Sequence, residues 1–129
     1  MNTLIHPLAL GVAAFVAFAI IVIGILYVSK PGVPARSFGL PLPGDGPNIP
    51  AWLRLKGVRD IASGLAVLAM MVWGGPRMVG IILLVEAFIP IGDMLVILAG
   101  KGSVTTALCV HGLTALAMIL AAVALITGA

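Results

Sequence analysis

Four apolar runs, each near twenty residues, dominate this sequence: Leu8 to Val28, Leu55 to Trp73, Met78 to Ala99 and Val104 to Ile126. A helix needs roughly 20 apolar residues to cross the hydrocarbon core of a bilayer, so each run is a candidate span. Lipid accepts only helices and closed barrels, because only these leave no backbone N–H or C=O unpaired. The runs are continuously apolar and do not alternate polar with apolar over about ten residues, as barrel strands do. The expected fold is all-α: an integral membrane bundle of four transmembrane helices (8–28, 55–73, 78–99 and 104–126) forming one domain over residues 1–129. Composition agrees, since 62% hydrophobic against 9% charged residues leaves too little polar surface for a soluble domain. The first run lacks a basic segment before it and exceeds the apolar core of a signal peptide, so it is expected to remain as the first helix.

Residues 29–52 carry prolines at 31, 34, 41, 43 and 50 and glycines at 32, 39, 44 and 46, a composition read as excluding helix and central strand. Such a length exceeds the roughly 2 to 8 residues usual between bundle helices and suggests a lid or binding loop. The other connections, Gly74–Arg77 and Gly100–Ser103, are tight, so the last three helices form an antiparallel meander. Counting crossings puts Lys30, Arg36, Arg54, Lys56 and Lys101 on one side and only Arg77 with the amino terminus on the other. The positive-inside rule then makes the 29–52 loop cytoplasmic and both termini external, on the periplasmic face of an inner (plasma) membrane.

Ionisable residues inside spans cost on the order of 2.5 to 3.5 kcal/mol each at mid-helix, so those present call for a reason. Arg59, Asp60, Glu86, Asp93 and His111 all fall inside the expected spans. At about 1.5 Å per residue, Arg59, Asp60, Asp93 and His111 lie roughly 6 to 10 Å below the cytoplasmic helix ends, on three different helices. Glu86 lies two turns deeper than Asp93 and shares its helix face. Pro90 sits between them and leaves the Glu86 carbonyl without its helical donor. Thr114 follows His111 on the last helix, and Ser63 and Gly64 extend a polar, uncrowded stripe from Asp60. Structural explanations stand beside the functional one. Arg59 can snorkel to the interface, Lys56 can pair with Asp60 at i, i+4, Asp93 can serve as an interfacial carboxylate, and His111 can be a core histidine bonded to Asp93 or a carbonyl. Glu86, near the midplane with no local cation, is the hardest to explain structurally.

Other chemistries lack support. His6 and His111 lie at opposite ends of the expected bundle, which rules out their ligating one haem, and too few His and Cys are present for an ordinary zinc site. No phosphate loop, dinucleotide fingerprint or hydrolase motif occurs, so no metal or cofactor is expected. A single cysteine, Cys109, excludes an intrachain disulfide and is read as a packing residue. The formal charge of +3 flanks helices and forms no nucleic-acid stripe.

The stretches Lys56–Gly64, Ile89–Asp93, Phe38–Pro41 and His111–Leu113 together resemble a bacterial and fungal family of small four-helix membrane proteins labelled as a domain of unknown function, distantly DoxX-like in layout. The resemblance runs over nearly the whole chain from Phe38 onward, and implies the fold and the importance of the matched residues but no reaction.

Three functions fit these residues. The first is an intramembrane site for a lipophilic small molecule, covered by the 29–52 loop. Acid–base isomerisation or cyclisation there would use Glu86 or Asp60 as acid or base, Asp93 with His111 as a relay and Arg59 against developing negative charge, with Ser63, Gly64, Pro90 and Thr114 lining the ligand. The second is a proton-coupled transporter or channel acting as an oligomer, and the third an accessory subunit of a larger membrane complex. The expected partners are membrane lipid and the lipophilic ligand. The small-residue faces are compatible with a homo-oligomer without requiring one.

Overall fold

Long helices form where the sequence runs apolar, and glycine-containing turns at Gly74 and Gly100–Ser103 separate the last three runs. The computed structural model describes residues 2–42, 44 and 46–128, without the side chains of Asn2 and Thr3. Its elements are α1 (Asn2–Ser29), α2 (Gly32–Arg36), α3 (Ile49–Trp73), α4 (Gly75–Glu86), α5 (Phe88–Ala99), α6 (Val104–Thr106), a π-helical segment (Ala107–Gly112) and α7 (Leu113–Thr127). Among the described residues every regular element is helical.

Three departures from the sequence expectation have physical causes. The 29–52 segment is not free of helix: it holds α2 and the first turn of α3. Pro34 and Pro50 are compatible with helix there because the N–H groups of a first turn have no intrahelical acceptor to lose. Pro43 lies outside the described residues. The third run is broken at Ala87, where α4 ends and α5 begins; Pro90, three residues on, cannot donate to the Glu86 carbonyl. In the fourth run the backbone widens into the π segment over Ala107–Gly112 before α7 resumes.

Among the described residues three helical stretches, Leu4–Ser29, Gly75–Ala99 and Val104–Thr127, are long and apolar enough to cross a membrane, as in a multi-pass membrane protein. The α3 helix does not meet that measure, because Arg54, Lys56, Arg59 and Asp60 all fall in its first half. Large apolar side chains cover the outside, among them Phe15, Phe18, Trp73 and Phe88, a surface suited to lipid and not to water.

Packing follows a square. The α1 helix lies between α3 and α7, α4 packs on α7 and α3, and α1 and α4 sit across the diagonal. Where α1 crosses α3 the backbones touch. A Cβ built on Gly24 would stand 2.7 Å from the carbonyl oxygen of Gly57, and one on Gly57 would stand 2.6 Å from that of Gly24. One heptad on, a Cβ at Gly64 would stand 2.6 Å from the Ala17 oxygen. Small residues at seven-residue spacing on both helices allow this approach, which lipid does not drive by hydrophobic exclusion.

The half of the bundle holding the start of α1 and the end of α3 is closed. Ala9, Ala13, Ala17, Val67, Val79, Leu83, Met118, Ala121, Ala122 and Leu125 form one buried apolar cluster there. The other half is open. Beyond the break at Ala87, α5 packs on the π segment and α7 but makes few or no contacts with α1 or α3. A gap remains between those two helix pairs.

Candidate ligand-binding site

That gap is a cavity of about 280 Å³. Its walls are mostly apolar: Phe15, Val16, Ala19, Ile20, Ile23 and Tyr27 from α1, Ile89 and Pro90 from α5, Val110 from the π segment and Met118 from α7. Phe15 is 74% exposed and Ile23, Ile89 and Val110 are also exposed at the rim, so the cavity opens sideways between α1 and α5, where the bilayer would lie. Into this apolar space project Lys56, Ser63, Glu86, Asp93, His111 and Thr114.

The polar groups come from five elements, α3, α4, α5, the π segment and α7, and all but Thr114 are held in side-chain pairs. On α3, Lys56, Asp60 and Ser63 fall at i, i+4 and i+7 and so share a face. The Lys56 ammonium donates to both Asp60 carboxylate oxygens, at 3.1 and 2.9 Å. Asp60 is only 4% exposed, so its charge is balanced inside the protein. The same ammonium lies 5.1 Å from the ring centroid of Tyr27 and 5.2 Å from that of Phe38, within range of a cation–π attraction to each. Deeper in, Ser63 Oγ donates to Glu86 Oε2 at 2.6 Å, which joins α3 to the end of α4 immediately before the helix break.

At the other wall His111 Nδ1 lies 3.7 Å from Asp93 Oδ2, close enough for an ion pair when the imidazole is protonated but beyond a direct hydrogen bond. His111 Nε2 lies 3.3 Å from the carbonyl oxygen of Phe38, which can only accept, so the imidazole tautomer with its proton on Nε2 donates there. The Phe38 ring meets the imidazole edge-on at 5.0 Å between centroids. Phe38, Ser37 and Pro34 from the α1–α3 connection therefore close one end of the cavity. This connection is itself tied down: Ser103 N donates to the Gly39 oxygen at 2.8 Å, and Gly39 adopts a φ of +104°, which a residue with a side chain rarely takes.

Seven of the nine residues singled out from sequence either line the cavity or support it. Glu86, Asp93, His111, Ser63, Pro90 and Thr114 line it, and Asp60 holds Lys56 from behind. Thr114 Oγ1 donates to the Val110 carbonyl at 2.7 Å, so its hydroxyl proton is spent on the helix. The other two lie elsewhere. Arg59 is exposed and does not line the cavity, and Gly64 is buried against α1 in the helix crossing. Two lining residues were not among those singled out: Lys56, read from the sequence as a topology-setting charge and a local partner of Asp60, and Tyr27, the sole tyrosine of the chain, which is 2% exposed.

The family model described as Domain of unknown function (DUF4267) matches residues 17–126. The chain belongs to that family. Every site residue named above from α3 to α7 falls within the DUF4267 match, as do Tyr27 and Phe38, while Phe15 and Val16 precede it. Comparison with curated proteins and with solved structures gave no match.

Proposed function

We propose that this protein crosses an inner (plasma) membrane four times and binds a lipophilic small molecule in the cavity between α1 and α5, entering from the bilayer. The supporting observation is the combination of a mostly apolar, side-opening cavity of about 280 Å³ with two hydrogen-bonding or ionic pairs, Ser63–Glu86 and Asp93–His111, in its walls. Pockets of this kind hold a ligand by apolar contact and orient it with a few convergent polar groups. At 25 residues α3 is about 37 Å long, enough to be the fourth crossing. Its charges are tolerable in that setting because Lys56 and Asp60 neutralise each other and Arg59 is free to reach the interface. The basic residues at the Phe38 end support a cytoplasmic position for that end, with both termini outside.

The same groups suit acid–base isomerisation or cyclisation. Glu86 and Asp93 are seven residues apart along α4 and α5, about 10 Å by helical rise, and each is backed by a partner that can hold or pass a proton. One carboxyl would protonate a conjugated ligand at one position while the other, with His111, removes a proton elsewhere, leaving its atom count unchanged. Lys56 takes over the electrostatic role that sequence suggested for Arg59. A proton pathway through a monomer is disfavoured by the closed apolar cluster that follows Glu86 and Thr114 toward the termini.

A lipophilic diazirine probe tests the binding site. Labelling should concentrate on peptides containing Ile89–Asp93 and Val110–Thr114, fall at least severalfold in Ala19→Phe, which fills the cavity from α1, and persist in Leu116→Phe on the exposed face of α7. Equal labelling of wild type and Ala19→Phe would refute the proposal.

A further inference from the structure

A second, polar cleft lies on the other side of the Phe38 connection. It has a volume of about 390 Å³ and is lined by Arg36 and Ser37 from the end of α2, Gly39–Pro41, and Lys101–Ser103 with Thr106 from the α5–α6 turn. The cleft is rich in donors that the protein leaves uncommitted. Among the described residues, neither the Arg36 guanidinium nor the Lys101 ammonium makes a hydrogen bond or an ion pair. The Ser103 hydroxyl accepts from Thr106 N at 3.2 Å and from Thr106 Oγ1 at 3.0 Å, which leaves its own proton free to donate outward. Two cations and a hydroxyl proton thus face one concavity, and no carboxylate is among its described lining residues. An oxyanion with several acceptor atoms would satisfy all three at once.

From this we infer that the cleft is a binding site for the phosphate of an anionic phospholipid headgroup. Arg36 ends α2, just beyond the end of α1, and Lys101 lies in the turn between the apolar stretches ending at Ala99 and beginning at Val104, so both stand at the level where headgroup phosphates lie. Guanidinium binds phosphate through paired N–H groups and the ammonium adds a point charge. Ser37 lines both cavities, and Gly39, which accepts from Ser103 N, borders Phe38. A headgroup held here would fasten the connection that closes the apolar cavity, although the cleft stands on its own residues and does not depend on the function proposed for that cavity.

The test uses the full chain in neutral detergent with added lipid, read by native mass spectrometry. Wild type should retain phosphatidylglycerol in preference to phosphatidylcholine. The Arg36→Gln/Lys101→Gln variant should bind it about twenty-five-fold more weakly, about fivefold for each cation removed. Lys30→Gln, a basic residue of the same side outside the cleft, should bind within about twofold of wild type. An equal loss in Lys30→Gln would mean diffuse surface charge and would overturn the site. Inorganic phosphate at millimolar concentration should fail to displace the lipid; complete displacement would assign the cleft to free phosphate and overturn the lipid headgroup. Unaltered lipid binding in a folded double variant would also refute the inference.

Discussion

Replacing Gly57 by alanine should destabilise the bundle even though alanine is the better helix former. The new Cβ would sit 2.6 Å from the Gly24 oxygen and 2.7 Å from Tyr27 Cβ, where ordinary contact begins at 3.4 Å. The first obstacle is backbone and cannot rotate away, so α1 and α3 must part by roughly 0.8 Å, an overpacking that costs about 1–3 kcal/mol. Helix propensity returns about 1 kcal/mol, leaving a net loss of about 1 kcal/mol, up to about 2. Gly11→Ala provides the opposite case: a Cβ there meets nothing within 4 Å, so only the propensity gain of up to about 1 kcal/mol remains. Because Gly24 and Gly57 face each other, one separation of the helices relieves both clashes, and Gly24→Ala/Gly57→Ala should cost at least about 0.5 kcal/mol less than the sum of the single changes. Unfolding in mixed micelles by titration with a denaturing detergent, followed by circular dichroism, measures all four. If Gly57→Ala and Gly11→Ala shift the midpoint in the same direction, the close crossing of α1 and α3 is wrong.

Lys56→Met should be among the most damaging single changes, because it leaves the buried Asp60 carboxylate without its cation, at a cost near the lower end of about 3–5 kcal/mol; Lys56→Met/Asp60→Leu should recover most of that in the same unfolding assay. Pro90→Ala restores a donor for the Glu86 carbonyl, a net gain of about 0.5–1.5 kcal/mol, and should raise the melting temperature while reducing photolabelling of the cavity, since a straighter α4–α5 would lie closer to α1 and α3. Loss of stability in Pro90→Ala would show that the break at Ala87 does not arise from the missing donor.

Much of this arrangement was legible in the sequence because lipid simplifies the reading. The apolar runs gave the helices, and charged or polar residues within them stood out against that background. Glu86, Asp93 and His111 were found by this logic, and they meet at one cavity. What stayed hidden depended on helix rotation. Arg59 and Asp60 are adjacent and looked equivalent by depth, yet adjacent helix positions point about 100° apart, so one is exposed and the other is buried. Gly64 looked like room for a ligand and instead makes room for a helix. The π segment has no clear sequence mark, since the extra residue in its turn is decided by packing, although such segments recur at functional sites. The proline count of residues 29–52 hid α2, because a proline in a first helical turn costs nothing that the chain would otherwise have had.

The most direct measurement on the central claim is mass spectrometry of small molecules extracted from gently purified protein, comparing wild type with Glu86→Gln, which changes the deepest polar group of the cavity while nearly preserving its shape. A lipophilic compound with at least one polar group is expected, enriched on wild type and depleted at least severalfold on a variant of unchanged helical content. The same ordinary membrane lipids in equal amounts on both proteins would contradict it.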